Sequence, residues 1–125
     1  MDAIRQGGCA CGAVRYTARG TPKFISNCHC ADCRRCTAAP FSTWVGYDTP
    51  QVTWTGERAI FHSSPDVSRG YCAQCGTPLS YSGRKWAQET HLLIGTFDRQ
   101  QDLVPTEDTM VEDHLPWVRL PTMVR

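Results

Sequence analysis

The chain has 125 residues, with eight cysteines, four histidines and a formal charge of +1. That length suits one compact domain over residues 1–125, burying roughly two thirds of its unfolded surface. No apolar run approaches the ~20 residues that cross a bilayer, and MDAIRQGGCACG lacks the basic and apolar regions of a signal peptide, so no membrane partner is expected and the default compartment is the cytoplasm.

From the N-terminus the first feature is Cys9-Ala10-Cys11-Gly12. Thiols at i and i+2 of an extended strand share one face, so both can reach one metal and form half a site. AVRYT and KFIS follow as short β segments, rich in β-branched and aromatic residues and bounded by turn formers. CHCADCRRC, Cys28 to Cys36, then puts four cysteines into nine residues. Cys28 and Cys30 again share a face and Cys33 follows at knuckle spacing, so three sulfurs can meet one zinc and leave its fourth position open. Cys36, one helical turn after Cys33, faces the same side and would close the site if it bound. One nine-residue segment wrapping all four tetrahedral corners is geometrically demanding, so Cys36 is expected to be a non-ligand beside the site. ADCRRCTAA reads as a helical turn or two, stopped by Pro40.

FSTWV, QVTWT, AIFHS, PLSYS and HLLIGTF continue the β pattern, and the chain is expected to be mainly β with short helical turns. Cys72-Ala73-Gln74-Cys75-Gly76 is a zinc-knuckle turn, its glycine permitting the tight backbone return. With Cys9 and Cys11 it completes a four-sulfur set that closes about sixty residues of chain, the arrangement of a structural zinc. The polar segment from Asp98 to Asp113 is expected to be a surface excursion, and HLPWVRLP to dock back on the core through Leu115, Trp117 and Leu120.

Clustered spacing in a reducing compartment speaks for metal over four disulfides. An iron–sulfur C-x-x-C-x-x-C run would want its next cysteine at position 40, where Pro40 stands. Two zinc ions held by seven thiolates would take the formal +1 to −2, and the only adjacent basic pairs are Arg34-Arg35 and Arg84-Lys85. A nucleic-acid partner, which wants a concentrated basic face, is therefore not expected. His29 should turn away from its flanking cysteines, as a surface histidine or one behind the ligands, while Phe41, Trp44 and Trp54 are expected in the core.

GGCACGAVRY, CHCADCRRCTAAPFSTWV and SRGYCAQCGTPLSY, in this order, resemble the glutathione-dependent formaldehyde-activating enzyme family, which also includes the centromere protein V domain. The resemblance covers residues 7 to 81 closely and HLPWVRL weakly. It implies a single-domain β-tent zinc-binding fold with a structural zinc on Cys9, Cys11, Cys72 and Cys75. A second, labile zinc at the active site would sit on Cys28, Cys30 and Cys33, the residues assigned to catalysis, whereas Cys36 departs from the family pattern. The implied activity is that of a zinc-dependent carbon–sulfur lyase acting on a small thiol adduct of the glutathione–formaldehyde type, with glutathione as the candidate thiol. Arg34 and Arg35 could pair with the carboxylates of such a substrate or balance the thiolate charge. The competing reading is a non-catalytic zinc module that binds protein or nucleic acid.

Overall fold

The computed structural model describes residues 3–120, and these form ten strands, one short α-helix and several 3-10 turns. Strands β1 (Ile4–Gly8), β2 (Arg15–Arg19) and β5 (Val52–Thr55) make a three-stranded antiparallel sheet in the order β1-β2-β5. The larger sheet has seven strands: β3 (Phe24–Cys28), β4 (Ser42–Asp48), β6 (Ala59–Ser64), β7 (Val67–Tyr71), β8 (Pro78–Gly83), β9 (Glu89–Leu93) and β10 (Glu107–Thr109). Their order is β10-β3-β4-β9-β8-β7-β6, antiparallel except where β10 runs parallel to β3. The mainly β class expected from the segment pattern is what the chain adopts.

Strand alternation divides the larger sheet into two unlike faces. Val45 and Tyr47 of β4 and Leu92 of β9 point to one side, where they pack against Tyr16 and Ala18 of β2 with Phe97 and Leu103, and Ile25, Val52 and Trp54 complete this core. The intervening residues point to the other side. One cross-strand row there runs Phe24, Gly46, His91, Tyr81, Arg69 from β3 to β7. Because Gly46 has no side chain, the Phe24 ring lies over it, and a Cβ at that position would meet the ring at 2.1 Å.

Helix α1 (Ala31–Thr37) links β3 to β4. Cys30 caps its N-terminus, accepting from the Cys33 backbone N–H at 3.3 Å, and Ala38 ends it in the left-handed conformation two residues before Pro40.

Several expectations are corrected. β1, β7 and β10 carry too few β-branched or apolar residues to be read as strands, and their neighbours' ladders recruit them. The polar segment from Asp98 to Asp113 contributes β10, whose Asp108 side chain is only 1% exposed. Near the C-terminus Trp117 is 69% exposed and Val118 is the residue that is buried, while Leu115 and Leu120 are half-buried and Pro121 lies outside the described residues. Trp54 joins the core as expected, and Trp44 is buried as expected while also lining a cavity.

Gly46→Ala is expected to destabilise the protein by ~1–3 kcal/mol, the usual range for overpacking, because the new methyl must displace the Phe24 ring. Urea denaturation of Gly46→Ala alone and combined with Phe24→Ala checks it, the double variant recovering part of the loss.

Candidate metal centres and the cavity beside the second

The two turns that carry Cys9 with Cys11 and Cys72 with Cys75 are built alike. After β1, Gly12 N–H donates to the Cys9 carbonyl at 3.1 Å and Val14 N–H to the Cys9 sulfur at 3.2 Å. After β7, Gly76 N–H donates to the Cys72 carbonyl at 2.8 Å and Cys75 N–H to the Cys72 sulfur at 3.5 Å. Both glycines have φ above +80°, a conformation that side chains disfavour. The Cys9–Cys11 pair thus shares a side because of a turn, and not because of the strand alternation expected from its spacing.

These turns bring the Sγ atoms of Cys9, Cys11, Cys72 and Cys75 within 4.8 Å of one another, and Cys11 lies 3.7 Å from both Cys9 and Cys72. Sulfurs at the corners of a tetrahedron with metal–sulfur bonds of about 2.3 Å stand about 3.8 Å apart, so the set fits zinc. Peptide N–H groups are thus aimed at the sulfurs of Cys9 and Cys72. The Thr77 hydroxyl, 3.2 Å from Cys75, and the Thr77 backbone hold that thiol down to about 5.

The second set comprises Cys28 at the end of β3, Cys30 at the helix cap and Cys33 on α1, its sulfurs again within 4.8 Å of one another. Cys36 stands outside this group and lines a separate cavity of about 220 Å³. Hydrogen bonding to the Cys33 thiol pulls Cys28 below the ordinary thiol range, and the same bond together with burial pushes Cys33 up. Three soft sulfur donors suit zinc as well, with one coordination position not supplied by cysteine.

In front of these three sulfurs lies a cavity of about 350 Å³, floored by the outer face of the larger sheet. Ser26, Phe24 and Cys28 reach it from β3, Trp44 from β4, His91 from β9, Tyr81 from β8 and Arg69 from β7. Glu107 and Thr109 of β10 close one side and Lys85 with Trp86 another. Aromatic rings crowd round His91: Tyr81 stacks on it at 5.4 Å and Phe24 meets it edge-on at 4.8 Å. His91 Nε2 lies 3.0 Å from Glu89, and Glu89 accepts from Lys23 at 2.9 Å.

His29 turns away from its flanking cysteines, as expected, but into the protein and not to the surface. It is 1% exposed, and its Nε2 lies 2.8 Å from Asp108, which also accepts from Asn27 at 3.2 Å. This network lies behind the sheet, opposite the sulfurs, because Asn27 and Asp108 are paired neighbours whose side chains alternate with Cys28 and Thr109. Arg34 donates to the His29 carbonyl at 3.3 Å, and Arg35 is exposed. The guanidinium that touches the second set is Arg69, with Nη2 3.7 Å from the Cys33 sulfur. Sequence spacing gives no sign of it, since the two residues lie 36 positions apart.

Among known proteins, the sequence profile of a family described as glutathione-dependent formaldehyde-activating enzyme matches residues 4–113. A Schizosaccharomyces pombe protein named an uncharacterized lyase is 30% identical over 77 residues, covering 62% of this chain and 56% of the relative, so the chain spans little more than half that relative's length. A crystal structure of a Rhodobacter sphaeroides protein is similar in fold, with a TM-score of 0.64 over 83% of this chain and 99% of that one at 16% identity.

Cys36→Ser is expected to leave metal content and melting temperature unchanged by elemental analysis and thermal denaturation; loss of one metal equivalent would show a closed four-sulfur site. A second expectation concerns acid. Burial lowers His91 from 6.5, and the His91 and Lys23 hydrogen bonds lower Glu89 from 4.5, so the unfolded chain takes up protons first. The pair's contribution is full above 6.5 and is lost as pH falls, first through His91 and then through Glu89. His91→Gln, which removes the first titration and the hydrogen bond that most lowers Glu89, should therefore shrink the difference between urea midpoints measured at about pH 7 and about pH 4.

Proposed function

The chain belongs to the glutathione-dependent formaldehyde-activating enzyme family, and from that premise we propose that it is a zinc-dependent carbon–sulfur lyase acting on a small thiol adduct, with glutathione as the candidate thiol. Cys9, Cys11, Cys72 and Cys75 hold a structural zinc in this proposal, and Cys28, Cys30 and Cys33 hold the labile zinc of the active site. The observation that supports it most is that three of the seven sulfurs open onto a cavity of about 350 Å³ while the other four lie in hydrogen-bonded turns. An interaction module needs no enclosed space beside its metal. The lyase name of the yeast relative agrees in reaction type.

Zinc supplies this chemistry with a lowered thiol pKa and a polarised carbonyl oxygen. Cleavage of an S-hydroxymethyl thiol breaks the carbon–sulfur bond with its electron pair going to sulfur. The hydroxyl proton leaves, and its electrons form the carbonyl bond; addition runs the same steps backwards. The chain's own part is to bind and orient. Trp44, Tyr81 and Trp86 wall off water, and Arg69 and Lys85 place positive charge around an anionic thiol. His91, anchored through Nε2 by Glu89, brings a titratable ring to the same cavity for the proton that the hydroxyl gives up.

The test is the rate of formaldehyde release from premixed glutathione and formaldehyde, expected to exceed the uncatalysed rate with purified protein carrying one to two zinc ions per chain. Cys28→Ser should remain folded, lose the weaker equivalent and fall to the uncatalysed rate. Cys9→Ser or Cys72→Ser should instead unfold the domain, since structural zinc contributes on the order of 10 kcal/mol of folding free energy in zinc peptides. Circular dichroism and elemental analysis of the three variants check the assignment, and the reverse ranking would exchange the two roles.

A further inference from the structure

Arg69 is 5% exposed, yet among the described residues no carboxylate lies within 4.0 Å of its guanidinium. Its contacts are with uncharged groups: Nε donates to Ser63 Oγ at 2.9 Å, and the guanidinium lies 5.1 Å from the centre of the Tyr81 ring. Nη1 is sealed from solvent and has no hydrogen-bond partner among the described residues. A guanidinium stays charged at any ordinary pH, and a buried cation without an anion is costly enough that folded proteins rarely keep one. The remaining contact is Nη2 to the Cys33 sulfur at 3.7 Å, within the three-cysteine set.

The charges agree with that contact. Three thiolates around a divalent ion carry a net −1, and one guanidinium beside them restores neutrality. Without it, a thiolate substrate would bring the buried site to −2. Arg34 and Arg35 do not serve: Arg34 is engaged by the His29 carbonyl and Arg35 faces solvent. We infer that Arg69 is the built-in counter-ion of the Cys28, Cys30 and Cys33 site, fixed by Ser63 and Tyr81 so that the site holds its metal and admits a thiolate as the further ligand.

Arg69 in this role is a positioning residue, and the assignment rests on the proposal that these three cysteines bind zinc. Its test is metal affinity and needs no turnover. Zinc-loaded wild type, Arg69→Met and Arg69→Lys are titrated with a chromophoric chelator. Arg69→Met should release the weaker equivalent at a tenfold or more lower chelator concentration, with the tighter equivalent unmoved. Arg69→Lys, which keeps the charge, should restore most of the difference. An unchanged weaker equivalent in Arg69→Met overturns the inference, and so does Arg69→Lys behaving like Arg69→Met, because shape and not charge would then be what matters. Should Arg69→Met fail to fold, shown by loss of the tighter equivalent too, Ser63→Ala replaces it. Freeing Nε in that variant should loosen the weaker equivalent about threefold, and no change would overturn the inference. Should Arg69→Met retain both metals but lose formaldehyde release, the counter-ion role fails while the lyase reading stands. If no variant or wild type releases formaldehyde, the affinity ranking still decides the role of Arg69.

Discussion

Two turns whose cysteines lie 61 residues apart, Cys11 and Cys72, meet at 3.7 Å, and this meeting point joins the ends of strands from different sheets. Cys9 and Cys11 follow β1 of the small sheet, and Cys72 and Cys75 follow β7 of the large one. A chain of this size has a modest core, so a point of closure between its sheets matters more than it would in a larger domain. The consequences reach further than stability. Cys72 directly follows β7, and Arg69 stands three residues before it on that strand. The first sulfur set and the guanidinium beside the second are thus joined by a single short strand.

The same period-two alternation that builds the core also builds the cavity. On β3, Phe24, Ser26 and Cys28 look outward, while Ile25 joins the core and Asn27 the network behind. On β4, Trp44 and Gly46 look outward, and Val45 and Tyr47 inward. A slip of one residue in either ladder would exchange these sets, putting Cys28 into the core and leaving the three sulfurs apart. Site geometry and core composition are thus the same constraint seen from two faces. The buried pair His29 and Asp108 ties β10 to this edge, beyond what its three-residue ladder supplies.

Much of this was legible in the sequence because metal ligation is a local matter. Cys72-x-x-Cys75-Gly76 encodes its own turn, and Cys28-x-Cys30-x-x-Cys33 encodes a strand end followed by a helix cap, so spacing alone pointed to two groups of four and three. The segments rich in β-branched and aromatic residues were equally plain. What stayed hidden depends on pairing across long separations. VSRGY of β7 and EDT of β10 become strands because neighbouring ladders recruit them, and polarity concealed them. Asp108 in a polar stretch reads as solvated surface until its opposition to Asn27 turns it inward. Arg34 and Arg35 stand beside the cysteines in sequence, yet the guanidinium that lies 3.7 Å from the Cys33 sulfur is that of Arg69, 36 positions away.

The two sulfur sets also differ in what surrounds them. Backbone N–H groups and the Thr77 hydroxyl serve the first, through turns that tightly hydrogen-bonded backbone holds in shape. The second has a backbone donor too, the Cys33 N–H to the Cys30 sulfur, but differs in having the Arg69 guanidinium on one strand, its ring partner Tyr81 on the next, and an open cavity in front. Backbone donors cannot be withdrawn without breaking the fold, whereas a guanidinium held in the cavity wall leaves the space in front of the sulfurs to a ligand. A site whose charge is balanced by a side chain at the edge of a cavity can exchange a ligand at little structural cost, and one closed by four cysteines in two rigid turns cannot. The proposal that Cys28, Cys30 and Cys33 form the exchanging site, and the other four a permanent one, draws on that contrast in surroundings.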